Sequence, residues 1–385
     1  MRVLVVHNRY SSSMPSGENR VVDDEITALR SAGVEVETLM PTSDSIGQMN
    51  MAGKVGAALS PVFGLSSSSE LNRALKAFRP DVVHLHNPYP LISPTAITVC
   101  NRAGIPVVAT IHNFRLRCIN GLFYRDGRIC TDCEDRRVAL PGLIHGCYRG
   151  SRVQSAVMAA AVTRHRNTWD GVSRYIAVSE FIADRLFAWG ESEDKVTIKP
   201  NSAKDPGASS PIGEGFLFAG RISEEKGIML LLDAWELSGL GVKTHLVVAG
   251  DGPQRSSAQS RAQSLSGVSF VGNVGGAELS ELHKLSAASV YSSTWLEAHG
   301  AVAEAFAHGR PVVATGVGAL DTLIDDRVGW RSLPEATSLA AALQSATDRL
   351  QLQKRGTAAR ERFIEVFHPD VVMKRLLAVY ESVAA

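Results

Sequence analysis

The chain has 385 residues, 45% of them apolar and 21% charged, which is enough for two domains with real cores. A formal net charge of +1 leaves no global field that would recruit nucleic acid. No window approaches the roughly 20 apolar residues of a membrane span, and the apolar run 3–6 before His7 and Asn8 reads as a strand, not a signal peptide. A cytoplasmic protein is expected.

The first half alternates strands and helices in the manner of a doubly wound α/β fold. Strands are predicted at 3–6, 34–39, 81–85, 107–111, 175–178 and 196–198. The helix predicted at 19–32 carries Val22, Ile26 and Leu29 at near-helical spacing, with Gly33 as its stop. It is opened by Pro15-Ser16-Gly17-Glu18, where a glycine lets backbone approach an anion and the helix start supplies N–H donors. Taken alone, one glycine before a helix is a turn. His112 closes the strand 107–111 in Thr110-Ile111-His112-Asn113, and a lone histidine at a strand end is more often structural than chemical. His84 and His86 end the preceding strand, and the sequence assigns neither a role.

Residues 115–152 hold four of the five cysteines, Cys118, Cys130, Cys133 and Cys147, with a C-x(2)-C pair in the middle and an Asp126-Gly127 turn signal. Such a pair places two sulfurs on one turn, as in a structural zinc site, and His145 could replace one thiol. Reduced thiols and a disulfide are the alternatives, the last disfavoured in cytoplasm. Cys100 reads as an apolar filler. Between 115 and 174, eleven arginines face five acids. That excess is a solvated surface or a patch for a phosphorylated or lipid-linked acceptor or an anionic membrane.

The Gly-, Pro- and Ser-rich stretch 206–215 has no apolar period and is expected to be a hinge or linker. Beyond it the alternation restarts with a strand at 216–219, a helix at 228–240, and strands at 245–249 and 269–271. The stretch 292–318 then combines a strand end, a loop with two acids, a short helix of small residues and the apolar run 311–315. A β-branched strand at 312–314 is expected to be buried on both faces, as in a parallel sheet. Ligands on such sheets sit at the carboxyl ends of strands. A helix start there suits a phosphate, and the acids Glu297 and Glu304 suit sugar hydroxyls, so the reading is a nucleotide or nucleotide sugar. Helices at 338–350, 354–367 and 369–383 complete the pattern. No D-x-D triplet and no G-K-[ST] phosphate loop occurs, and no G-x-G-x-x-G follows the first strand.

The string Glu297-Ala298-His299-Gly300, three residues, Glu304-Ala305, then Gly309-Arg310-Pro311-Val312-Val313 resembles the E-x(7)-E region of the retaining glycosyltransferases of family 4, one residue short of the usual spacing. Gly220-Arg221, four residues, Lys226-Gly227 resembles the family's G-R-x(4)-K-G string residue for residue. Ser16-Gly17 resembles its glycine-rich first loop, and Pro200-Asn201-Ser202 the turn that ends its first domain. A cysteine-bearing insertion after the T-x-H-N string resembles a subset of the family. The resemblance implies the GT-B fold, two Rossmann-like doubly wound α/β domains facing a central cleft. Their bounds would be 1–205 for an acceptor-side domain with the cysteine module, 206–368 for the nucleotide-sugar domain and 369–385 for a helix crossing back.

It further implies a retaining transfer of sugar from a UDP- or GDP-linked donor to an acceptor hydroxyl of a glycan, a lipid-linked intermediate or a small metabolite, with no catalytic metal. Arg221 and Lys226 would neutralise the leaving diphosphate, helped by amides near Gly17. Glu304 would hold the ribose diol, Glu297, His299 and Gly300 would line the sugar, and His112 would border the anomeric centre. A nucleotide-sugar epimerase of the same fold and a non-catalytic nucleotide-sugar-binding protein are the alternatives.

Overall fold

The computed structural model describes residues 1–12, 16–208, 210–296 and 301–384. Two compact units divide them: Met1–Phe123, Cys130–Lys199 and Met373–Ala385 form the first, and Tyr124–Ile129 with Pro200–Val372 the second. The strands in chain order are β1 (Arg2–Val6), β2 (Glu35–Leu39), β3 (Val82–Leu85), β4 (Val107–Ile111), β5 (Tyr124–Arg125), β6 (Arg128–Ile129), β7 (Arg174–Ala177) and β8 (Val196–Ile198). The second half supplies β9 (Phe216–Ala219), β10 (Leu246–Ala249), β11 (Val268–Gly272), β12 (Ala288–Tyr291), β13 (Val312–Thr315) and β14 (Gly329–Ser332).

The first unit holds a six-stranded parallel sheet of order β2-β1-β3-β4-β7-β8. Every residue of β3 and β4 is buried, which is why these strands read as unbroken apolar runs and not as alternating ones. Val22, Ile26 and Leu29 of the helix Gly17–Ser31 pack against Val3, Val5 and Val36. The final helix, Pro369–Glu381, delivers Leu376, Val379 and Tyr380 into that same core. Its apolar spacing suits that burial, and residues from Met373 onward belong to the first unit.

The second unit repeats the plan with a parallel sheet of order β11-β10-β9-β12-β13-β14. Its core is built on Trp235, Leu231 and Leu232 of the helix Ile228–Ser238 against Phe216, Phe218 and Val290. The stretch expected to be a hinge is tied down within this unit. The buried Arg310 guanidinium donates to Ser210 O and Pro211 O, and Arg349 donates to Ile212 O and Gly213 O. Asp205 pairs with Arg360 at 2.8 Å and His368 at 3.3 Å. Those ion pairs explain why the unit begins at Pro200.

The β5–β6 hairpin leaves the cysteine module and groups with the second unit. Its two-residue loop, Asp126-Gly127, has φ of 52° and 76°, the pair of left-handed residues that a type I′ hairpin turn requires. Among the described residues no helix is long and apolar enough to cross a membrane.

Candidate functional site

In the second unit, parallel order brings two sequence-distant segments together. Strands β9 and β12 are neighbours, so the loops leaving their carboxyl ends are adjacent. Arg221 lies exposed just after β9. Lys226 ends the turn Glu224–Lys226, half-buried, with Nζ 5.4 Å from the Trp295 ring centroid in the loop after β12. The same two loops are joined by backbone: Thr294 N donates to Glu225 O at 3.0 Å, and Ser292 Oγ donates to Lys226 O and Gly227 O.

Gly227 shows why the G-R-x(4)-K-G string ends as it does. Its φ is 67°, and a Cβ there would lie 1.9 Å from Ser292 O. Only glycine lets the β9 loop press this closely on β12 before the helix Ile228–Ser238 begins. Gly227 therefore fixes where the Lys226 backbone stands.

Glu304 sits half-buried in the first turn of the helix Val302–Ala307, which follows β12. An acid there is favourably placed against the helix dipole. The neighbouring Val302, Ala305 and Phe306 are buried and anchor the helix in the core. Glu297, His299 and Gly300, assigned to the sugar from the sequence, lie outside the described residues. Gly17 is the first residue of its helix, exposed, with Ser16 as the cap accepting from Asn19 N at 3.4 Å. Nothing lies within 4 Å of a Cβ built there, so the backbone at this helix start is open to approach.

In the first unit, three adjacent strands each end in the same dipeptide: His7-Asn8 after β1, His86-Asn87 after β3 and His112-Asn113 after β4. All three histidines are buried. The asparagines bind backbone: Asn8 Oδ1 accepts from Leu91 N, Asn87 Nδ2 donates to Asn8 O, and Asn113 Oδ1 accepts from Arg115 N. They fix the loops, while the imidazoles stand side by side. His112, with Asn87, Tyr89 and Arg115, lines a small cavity at these strand ends.

Behind the histidines lies a charge pair that the sequence reading missed. Glu25 is fully enclosed, with Oε2 2.9 Å from Lys199 Nζ and Oε1 3.1 Å from His84 Nδ1 and 3.3 Å from His86 Nε2. Burial alone would raise the carboxyl's pKa, but Lys199 and the two histidines hold it well below the ordinary value. One signal was available. Glu25 sits among Val22, Ile26 and Leu29 on the apolar face of its helix, where an unpaired acid would be prohibitive.

No three cysteine sulfurs among the described residues lie mutually within 4.8 Å, although Cys147 and Cys130 are near enough to Cys133 to help raise its thiol. Among the described residues, the only three ligand atoms lying mutually within 4.8 Å belong to Glu25, His84 and His86. Cys133 packs in an apolar cluster with Ile119, Ala139 and Met158. Burial raises the Cys118 and Cys133 thiols above their ordinary pKa, and Cys118 donates to Asn120 Oδ1. The Glu25 group does not suit a metal. Lys199 supplies the counter-charge, and both His84 nitrogens are engaged, with Tyr380 OH at 2.6 Å and Thr110 Oγ1 at 2.7 Å.

Two parallel α/β units of this kind, with phosphate- and hydroxyl-binding residue types at the strand ends, are the architecture of the GT-B glycosyltransferases. A model of glycosyl transferases group 1 matches residues 213–349, and one of the glycosyl transferase 4-like domain matches residues 16–202. The chain is 28% identical to glycogen synthase of Mycobacterium tuberculosis, covering 99% of this chain and 94% of that protein. It is 25% identical to phosphatidyl-myo-inositol mannosyltransferase of Mycobacterium leprae, covering 97% and 95%. The structure of Anabaena HepE in complex with UDP superposes with a TM-score of 0.67 at 16% identity, covering 99% of this chain and 100% of that one. The chain belongs to the group 1 glycosyltransferases, with a glycosyltransferase 4-like first half. It is a glycosyltransferase of the hexosyl-transferring type.

Proposed function

We propose that this enzyme transfers a sugar, with retained anomeric configuration, from a nucleoside-diphosphate donor to an acceptor hydroxyl. The observation that carries the reading is the placement of Arg221 and Lys226 after β9 and of Glu304 after the adjacent β12. As the glycosyl bond breaks, negative charge grows on the leaving diphosphate, and two fixed cations stabilise it without a catalytic metal. The two oxygens of Glu304 match the vicinal hydroxyls of a ribose. Glu297, His299 and Gly300 line the sugar in this reading, and His112 is given a role in sugar transfer. The open helix start at Gly17 adds amide donors for phosphate.

UDP is the first base to test, since the Anabaena protein was crystallised with UDP. The cysteines enter this reading as thiols of the 115–152 module.

An acceptor carried on an anionic membrane agrees with one surface. Met51, Val55, Leu59 and Phe63 recur every four residues along the helix Met51–Phe63, all exposed, and the Arg164 guanidinium lies 5.5 Å from the Phe63 ring centroid. An apolar stripe edged by arginine is what an anionic lipid interface binds. Sedimentation with phosphatidylglycerol vesicles, lost on Leu59→Asp, tests it.

For the main reading, Arg221→Ala and Lys226→Ala are each expected to reduce transfer by at least ~100-fold, the scale of removing a preorganised anion donor. A thermal-shift screen of UDP and GDP followed by mass spectrometry of products identifies the donor. Unchanged turnover in both variants would reject the roles given to these cations.

A further inference from the structure

We propose that Glu25, acting through His86, holds His112 in the tautomer that carries its proton on Nε2, so that Nδ1 presents a lone pair. This rests on the reading above only in supposing that His112 serves sugar transfer; the tautomer itself stands on geometry.

His86 lies between the other two groups. Its Nε2 is 3.3 Å from Glu25 Oε1 and its Nδ1 is 3.0 Å from His112 Nε2. Burial, then the neighbouring His84, lowers the His86 pKa to about 4, so the ring is neutral and carries one proton. The only question is which nitrogen has it.

Glu25 answers that. Its carboxylate is kept ionised by Lys199 at 2.9 Å. A lone pair on His86 Nε2 facing that oxygen would be repelled, although the 3.3 Å contact falls outside hydrogen-bond geometry and neither atom has a hydrogen bond among the described residues. An N–H there places its positive end 3.3 Å from an ionised oxygen, whereas the other tautomer would set a lone pair against it. The proton therefore sits on Nε2, and His86 Nδ1 is an acceptor.

The consequence passes to the next ring. Across the 3.0 Å contact, His112 Nε2 must donate, and in a neutral imidazole that leaves Nδ1 as the acceptor. Lys199 and His84 belong to the device because they keep Glu25 charged. Tyr380 and Thr110 fix the His84 ring from its two sides. Glu25 is thus a positioning residue, reaching His112 through His86, and both imidazoles line the cavity.

Nitrogen-15 NMR of the full chain labelled at histidine reads the tautomer directly, with the His112 signals assigned by their loss in His112→Asn. The wild type is expected to carry the His112 proton on Nε2. In Glu25→Gln the amide can turn its NH₂ toward His86 Nε2, which moves the His86 proton to Nδ1 and the His112 proton to Nδ1. That variant is expected to lose at least ~10-fold in kcat with KM little changed, a mild form of the loss seen when a histidine is held in the wrong tautomer. Wild-type His112 protonated on Nδ1 would overturn the proposal, and that result needs no variant to fold. So would Glu25→Gln that folds and leaves the tautomer unmoved, or that switches it without cost to kcat. Failure of the transferase reading would show separately, as a wild-type chain that moves no sugar.

Discussion

Replacing Lys199 with methionine removes the positive end of an ion pair whose members are 1% and 8% exposed. The stem is retained, so packing is nearly conserved and the change is electrostatic. Glu25 is left enclosed with only His84 and His86 beside Oε1. Breaking a buried pair by removing one partner typically costs about 3–5 kcal/mol, and uptake of a proton by Glu25 relieves part of it, so about 2–4 kcal/mol is expected. Removing both charges in Glu25→Leu with Lys199→Met leaves no orphan ion and is expected to recover at least half of that loss, because buried pairs contribute little net stability. Urea titration at pH 7.5, followed by near-UV circular dichroism and Trp169 and Trp189 fluorescence, reports on the first unit. A single variant within 0.5 kcal/mol of wild type, or a double variant worse than the single, would refute the picture of Glu25 as a charge kept in place by Lys199.

Acid sensitivity should come from neutral buried imidazoles. Burial, with His84 beside His86 and with Arg310 beside His283 and His308, lowers these rings to about 4, 3 and 4. Their folded pKa values lie below the ordinary 6.5, so the unfolded chain binds more protons. Their stabilisation is complete above pH 6.5 and declines toward pH 4, by up to about 1.4 kcal/mol per pH unit for each ring. Equilibrium unfolding that is flat between pH 7 and 5 would exclude this. Gly227→Ala, with its Cβ driven into Ser292 O, is expected to cost more than about 3 kcal/mol or block folding, whereas Gly17→Ala, with open space around it, is expected to shift stability by less than about 0.5 kcal/mol; thermal melts of the two decide it. Metal analysis of purified protein should find zinc far below one per chain and unchanged by Cys130→Ser. Stoichiometric zinc would mean that the four sulfurs gather around an ion.

Most strands were legible because both sheets are parallel and covered on both faces, which forces β-branched runs such as 107–111 and 312–315, whereas β14 and the β5–β6 hairpin, which lack such runs, were not. The helix Gly17–Ser31 was legible from Val22, Ile26 and Leu29. The helix pair Met51–Phe63 and Leu65–Phe78 was not singled out, since the first is apolar on its exposed side too and Pro61 interrupts its pattern. The charged string around Arg221 announces itself by its glycines. Glu25 and Lys199 do not, because they are 174 residues apart and meet only through tertiary packing. The stretch 206–215 has the composition of a tether, and Arg310 and Arg349 hold part of it through backbone carbonyls, which any sequence would offer equally.

The return of the final helix has a consequence for biosynthesis. Tyr380 closes over His84 in a unit whose first strand begins at Arg2, so a ribosome must translate past Tyr380 before that unit can be completed. The second unit's main segment runs from Pro200 to Val372, so its strands wait far less for their partners. A nascent chain arrested near residue 370 would therefore display Val3, Val5 and Ile26 without their cover and should attract a chaperone at that stage.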